Sequence, residues 1–139
     1  GLGAPVGSVL VGTEEFIGQA HRWRKMFGGG MRQSGVLAAA GMYALENNIQ
    51  RMEDDHRRAQ SIARAIDEMD HVSVDIDAVQ TNMVYFSANG FTASEVSQKM
   101  AKAGIDMFDI SPTHCRIVTH LHITDQDVER VIDALSTLS

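Results

Sequence analysis

The sequence has few of the residues that crosslink a chain, break its helices or neutralise phosphate. It contains one cysteine, Cys115, and two prolines in 139 residues. One thiol excludes an internal disulfide framework and fits a reducing compartment. A membrane-spanning helix needs about 20 consecutive apolar residues, and a charge or a glycine interrupts every stretch before that length. No basic segment leads into an apolar run near the start, so no secretory signal is visible. Cations are also in deficit, with 12 Lys and Arg against 18 Asp and Glu and a formal charge of -6. Binding a polyanion depends on clustered cations, so neither nucleic acid nor a membrane is expected as a partner.

What is present is ordinary for a folded chain: 44% apolar and 22% charged residues, enough for one core and too apolar for disorder. The first residue is Gly1 where an initiator methionine would stand. Val6 to Gly12 is an apolar run between glycines, which predicts a buried strand. Thr13, Glu14 and Glu15 supply an N-cap and an acidic first turn, and Phe16, Ile17, Ala20, Trp23 and Phe27 then recur at helical spacing. The run Gly28-Gly29-Gly30 ends that helix. A second helix is predicted from near Met31 or Arg32 through Ile49, and a third stripe runs through Ala59, Ile62, Ala63, Ile66 and Met69.

From residue 72 the pattern changes. Val72, Val74 and Ile76 alternate with polar residues as in a half-buried strand, and Met83 to Phe86 reads as a more buried one. Thr92 to Glu95 is a capping box opening a helix to about Ala103. Ile105 to Phe108 and Cys115 to Ile123 predict two further strands, and Thr124 to Asp127 opens a last helix. That order describes an α+β unit with antiparallel pairing. The first strand and helix lack enough partners to bury both faces, so residues 1–50 and 51–139 are expected to belong to different domains.

Two clusters invite chemistry. Arg22, Arg24, Lys25 and Arg32 surround the glycine run on an otherwise acidic chain, suggesting a small anion more than a polymer. Three glycines would let backbone amides approach an oxyanion, with Lys25 as a point charge and Arg32 as a fork at a helix start. The alternative is a flexible turn with solvated cations. The second cluster is the strand from Cys115, where Arg116, Val118, His120 and His122 share one face by alternation. A guanidinium in so apolar a segment needs an anion, either a structural carboxylate or one supplied by a ligand. His120 and His122 would need two further ligands to hold zinc, and none is evident. Cys115 has no assigned base and suits a buried apolar position better than a nucleophile.

Four blocks together resemble the low-specificity L-threonine aldolases: Gly1-Leu2-Gly3-Ala4-Pro5-Val6-Gly7-Ser8, Arg22-Trp23-Arg24-Lys25-Met26, Gly28 through Gly35, and Arg116-Ile117-Val118-Thr119-His120-Leu121. Thr81-Asn82-Met83 also matches. The resemblance runs in family order along nearly the whole chain. It implies the α/β fold of the pyridoxal phosphate transferases of fold type I, with residues 1–50 ending the large domain and 51–139 forming a small α+β C-terminal domain. It implies pyridoxal 5'-phosphate as cofactor and cleavage of L-threonine and L-allo-threonine to glycine and acetaldehyde. A cytoplasmic homotetramer with active sites shared between subunits is implied as well. Lys25 and Arg32 match residues that reach the cofactor phosphate of the neighbouring subunit, and Arg116 matches the arginine that holds the substrate carboxylate. His120 receives no role, and His122 stands where an acidic residue would be expected.

Family members carry a Ser-Lys pair directly before the Gly-Leu-Gly sequence, and that lysine forms the Schiff base with the cofactor. This sequence therefore resembles the C-terminal two fifths of an aldolase, starting one residue after its catalytic lysine. Either the lysine, carried as its cofactor adduct, divides the sequence at that point, or the chain is a proteolytic or processed product. The isolated residues should be inactive without that lysine. Rival readings are another lyase or aminotransferase of the same fold, or an inert assembly fragment.

Overall fold

In a computed structural model, which describes residues 1–5 and 8–138, the chain divides into two compact units, Leu2–Ile49 and Gln50–Ser139 with Gly1. Each is built differently, and among the described residues the buried hydrophobic cluster lies in the second.

The first unit consists of two helices and their connections. Helix α1 spans Glu14–Met26, with the Thr13 side chain accepting from the Phe16 amide. Acidic Glu14 and Glu15 lie at its start and basic Arg24 and Lys25 at its end, each where the helix dipole favours it. Its apolar stripe forms as predicted but is only partly covered, with Ile17 and Ala20 half-buried. No residue of α1 is buried, and Trp23 and Phe27 stack on each other with ring centroids 5.9 Å apart. Helix α2 spans Gly35–Asn47, and Ala44 is its one buried residue.

Two sequence expectations fail here. Of the strand predicted over Val6 to Gly12, Val6 and Gly7 lie outside the described residues, and the remainder forms no strand; Val9 is 84% exposed. A strand with no neighbour leaves its amides and carbonyls without ladder bonds, so apolarity alone cannot form one. The second helix also starts later than Arg32. Gln33 adopts a left-handed φ of 54°, costly for a residue with a Cβ, and that interrupts the helical path before Gly35.

The second unit is a two-layer α+β sandwich. Helix α3 (Met52–Asp67) leads into strand β1 (Val72–Val74), a short 3-10 turn (Ile76–Ala78) and strand β2 (Met83–Ala88). Helix α4 (Ala93–Lys102), strands β3 (Phe108–Asp109) and β4 (Cys115–Val118), and helix α5 (Asp125–Ser136) complete it. The sheet order is β1-β2-β4-β3, every pair antiparallel, as the strand order predicted. Alternation places Val72, Val84, Phe86, Cys115 and Ile117 inward against Ile62 and Ile66 of α3, Val96 and Met100 of α4 and Leu135 of α5. Phe86, Ile62, Ile66, Met100 and Leu135 are almost completely buried, so this layer supplies the hydrophobic stabilisation of the unit.

Both predicted capping boxes are present, Thr92 with Glu95 and Thr124 with Asp127, each making reciprocal hydrogen bonds. These bonds favour the ionised carboxylates and lower the pKa values of Glu95 and Asp127. Asp125, in the first turn of α5, receives hydrogen bonds from Arg58 and Arg57 of α3, which lower its pKa likewise.

The predicted strands over 105–108 and 115–123 are both shorter than expected. Only Phe108 and Asp109 pair in β3, and β4 stops at Val118. Beyond it Asn82 closes the ladder. Its side-chain amide donates to the Thr119 carbonyl at 2.7 Å, while the Thr119 amide donates to the Asn82 carbonyl at 2.9 Å. The Thr119 hydroxyl turns away to the Asp55 carbonyl at 2.7 Å, which commits this segment to α3 and ends the extended run.

Candidate functional site

The glycine run after α1 is a helix cap before it is anything else. Gly28 has a φ of 79°, and its amide donates to the Lys25 carbonyl while the Gly29 amide donates to the Arg24 carbonyl. That pair of bonds is a Schellman motif, which closes a helix by satisfying carbonyls that would otherwise lack partners. A Cβ on Gly29 would lie 2.8 Å from Arg24 Cγ and 3.0 Å from its carbonyl oxygen, so glycine is required there. Two of the three amides proposed from sequence for an oxyanion are therefore already used. The run is thus a helix cap that leaves the Gly30 amide outside these two bonds.

The basic residues stand on either side of this cap. Lys25 lies in the last turn of α1, its ammonium close enough to Gly30 that a Cβ there would sit 3.3 Å from Nζ. Arg32 lies in the turn ahead of α2, not at its first residue as predicted. Both side chains are exposed, and Arg22, Arg24, Lys25 and Arg32 have no hydrogen-bond or ion-pair partner among the described residues. A cavity of about 460 Å³ in the same unit is lined by Ser8, Leu10, Ile17, Ala20, His21 and Arg24, without Lys25 or Arg32. Exposed cations on either side of a glycine turn would suit an anion with several oxygens, such as the phosphate ester of a cofactor.

Arg116 stands in the second unit, on the sheet face opposite the helices. Its register partners are Tyr85 on β2 and Phe108 on β3, so the three side chains form a row across three strands. The guanidinium carbon is 5.2 Å from the centroid of the Phe108 ring, a cation–π distance. Arg116 Nε is buried and has no hydrogen-bond partner, and no carboxylate among the described residues pairs with the group. A buried N–H without an acceptor is uncommon and costly, so an external acceptor is the natural complement. The structural salt bridge left open by the sequence is absent among the described residues. A planar carboxylate fits the vacant donors of a guanidinium.

The remaining sequence candidates recede. Because β4 ends at Val118, the alternation that placed His120 and His122 on the Arg116 face does not extend to them. Their rings meet edge to face with centroids 5.7 Å apart, and among the described residues no group of three His, Cys, Asp or Glu is placed to hold a metal. Cys115 points into the core with its thiol directed at the Ala93 carbonyl, and burial, followed by the nearby Asp109 charge, pushes its pKa up to about 11. Arg51 and Asp55 were missed by sequence reading. Their i,i+4 spacing is a signal for an ion pair, but nothing in the sequence marked Asp55 as buried.

Residues 1–89 match the family described as Beta-eliminating lyase. The chain belongs to that family. Among its relatives, the chain is 44% identical over 131 residues to a low specificity L-threonine aldolase of Escherichia coli, covering 94% of this chain and 38% of that protein. It is 40% identical over 131 residues to low-specificity L-threonine aldolase 1 of Arabidopsis thaliana, with 92% and 37% covered. The resemblance read from the sequence blocks is thus borne out. The chain spans about two fifths of the length of the curated relatives it matches.

Solved structures share the fold. One from Listeria monocytogenes, assigned as an L-allo-threonine aldolase, superposes with a TM-score of 0.71 at 21% identity, covering 98% of this chain and 41% of that one. A C–S lyase solved with glycine covalently linked to its pyridoxal phosphate cofactor gives 0.63 at 17% identity, covering 76% and 29%. The fold class expected from the resemblance, that of pyridoxal phosphate enzymes of fold type I, is the one these neighbours adopt. No helix among the described residues is long and apolar enough to cross a membrane.

Proposed function

We propose that the chain is the C-terminal part of a pyridoxal phosphate-dependent aldehyde-lyase that cleaves L-threonine and L-allo-threonine to glycine and acetaldehyde. The observation that carries this reading is Arg116, a guanidinium on an open sheet face with a buried, unsatisfied Nε and no paired carboxylate among the described residues. It would hold the substrate carboxylate and so orient the bond to be broken. The residues present fit the cofactor on the same ground, since Lys25 and Arg32 offer unpaired cations suited to its phosphate. In this reading they serve the neighbouring subunit's cofactor in a homotetramer with shared sites.

When bound, the cofactor supplies an electron-withdrawing ring that accepts the pair released on cleavage. This chain's residues bind and orient. Arg116 pairs with the carboxylate through charge-assisted hydrogen bonds, with Phe108 and Tyr85 flanking it in the same row. Lys25 and Arg32 neutralise phosphate charge. The lysine that carries the cofactor is proposed to precede Gly1 directly, so residues 1–139 alone should show no turnover. A cytoplasmic location accompanies the reading, supported by the single free thiol. Residues 1–50 would complete the large domain and 51–139 form the small one.

The test uses the complete protein. Arg116→Ala should raise the KM for L-threonine severely while leaving the cofactor's visible absorbance near normal. An unchanged KM would refute the assignment. Substitution of Lys25 or Arg32 should raise the dissociation constant for pyridoxal phosphate, and unaltered cofactor affinity would remove them from the phosphate site.

A further inference from the structure

Asp55 is a charged residue only 1% exposed, on the first turn of α3. Its Oδ1 accepts from Arg51 NH2 at 2.5 Å, and its Oδ2 is buried without a partner. An ion pair so deeply placed costs desolvation that its attraction only partly offsets, so stability is a weak explanation for it. The second arm of the guanidinium is informative. Arg51 NH1 donates to the main-chain carbonyl of Gly1 at 3.1 Å, across 50 positions of sequence. From Asp55 the connection continues: the Asp55 carbonyl accepts from the Thr119 hydroxyl at 2.7 Å. Thr119 lies just beyond β4, three positions after Arg116, and is paired to Asn82 in both directions.

We infer that Arg51 is a positioning residue for the reaction: it fixes the main chain at Gly1, and through it the cofactor-bearing residue directly before, in register with the strand that carries Arg116. This rests on the proposed reading that the cofactor lysine precedes Gly1. The planar fork is what the task requires. Its two arms reach a carboxylate on one side and a carbonyl on the other, and that carboxylate is buried. A lysine ammonium keeps the charge but is a point donor on a flexible stem, so Arg51→Lys retains an ion pair with Asp55 and loses the Gly1 bond. Asp55→Asn keeps the shape and removes the charge that orients the fork.

The experiment compares wild type, Arg51→Lys and Asp55→Asn in the complete protein. In the cofactor-free protein, hydrogen exchange of the peptide containing Gly1 should accelerate by roughly tenfold in Arg51→Lys, the scale of one lost charge-assisted hydrogen bond, and less in Asp55→Asn. In the loaded enzyme, kcat should fall with KM for L-threonine within about twofold of wild type, because the carboxylate site at Arg116 is untouched. Exchange unchanged in both variants, or KM rising while kcat holds, would overturn the inference and leave the functional reading standing. Borohydride reduction of the wild type, followed by peptide mapping, tests that reading separately: a pyridoxyl group on a lysine elsewhere than next to Gly1 would overturn both. If Asp55→Asn does not fold, Arg51→Lys still reads the tether, since the Arg51 side chain is partly exposed at 19%.

Discussion

Removing the Phe108 ring isolates what the row across the sheet contributes. Phe108 holds the Arg116 guanidinium at 5.2 Å from its centroid, on a ring that is itself 61% exposed. At such an exposed site a cation–π contact contributes about 0.5 to 1 kcal/mol. If the contact pre-orients the fork for a substrate carboxylate, Phe108→Ala weakens ground-state and transition-state binding alike. That corresponds to a KM raised about two- to fivefold with kcat little changed. Phe108→Trp should restore the wild-type value, because the larger ring face holds the cation at least as well. The assay is steady-state acetaldehyde release from L-threonine by the complete protein. A KM unaffected by Phe108→Ala, or a loss confined to kcat, would refute the idea that the ring orients Arg116.

Other outcomes follow from the second unit. Phe86 is buried at the centre of the sheet, so Phe86→Ala should cost about 3 to 5 kcal/mol in urea unfolding, and a loss below about 1 kcal/mol would mean the core is packed otherwise. Cys115, with its pKa near 11, should react with a thiol reagent at pH 8 roughly a hundredfold more slowly in the native than in the urea-unfolded protein; equal rates would contradict its burial. Asp125, Asp127 and Glu95 have folded-state pKa values below their ordinary ones. Their stabilisation is therefore fully present above the unfolded carboxylate range of about 4 and is lost as pH falls through the folded values. Unfolding followed from pH 7 to pH 3 should show stability declining below about pH 4, with a shallower decline in Thr124→Ala; a slope unaltered by that substitution would separate the cap from the pH effect.

Legibility of the sequence depended on whether the signal was local. Capping boxes at Thr92 and Thr124 were readable because each is a contact between residues three apart. The α3 stripe was readable because its apolar face meets a sheet in the same chain. Of the strand expected over Val6 to Gly12, the described residues 8–12 form none, because a strand's existence depends on neighbours and the described residues supply none. β4 was overextended because Thr119 continues the apolar alternation in sequence while its hydroxyl is held by α3, a contact 64 positions away. At the site, residue type alone pointed to Arg116 as an anion binder, but its aromatic flanks required the register of three strands. Lys25 and Arg32 were readable as basic residues on either side of a glycine turn, which is where they lie. That two of the three glycine amides are spent on the helix cap was not visible in the spacing. Arg51 and Asp55 stayed hidden because the partner that gives them meaning, the Gly1 carbonyl, lies 50 positions away.

The central claim is that Arg116 and the basic turn belong to a lyase that breaks the carbon–carbon bond of a β-hydroxy amino acid. The most direct measurement is product analysis of L-threonine turned over by the complete protein with pyridoxal phosphate. Acetaldehyde and glycine in equal amounts, without ammonia or a keto acid, is the result this account predicts. Ammonia with a keto acid, or a keto acid formed only with an amino acceptor, would contradict it and assign the chain to an eliminating or aminotransferring enzyme of the same fold.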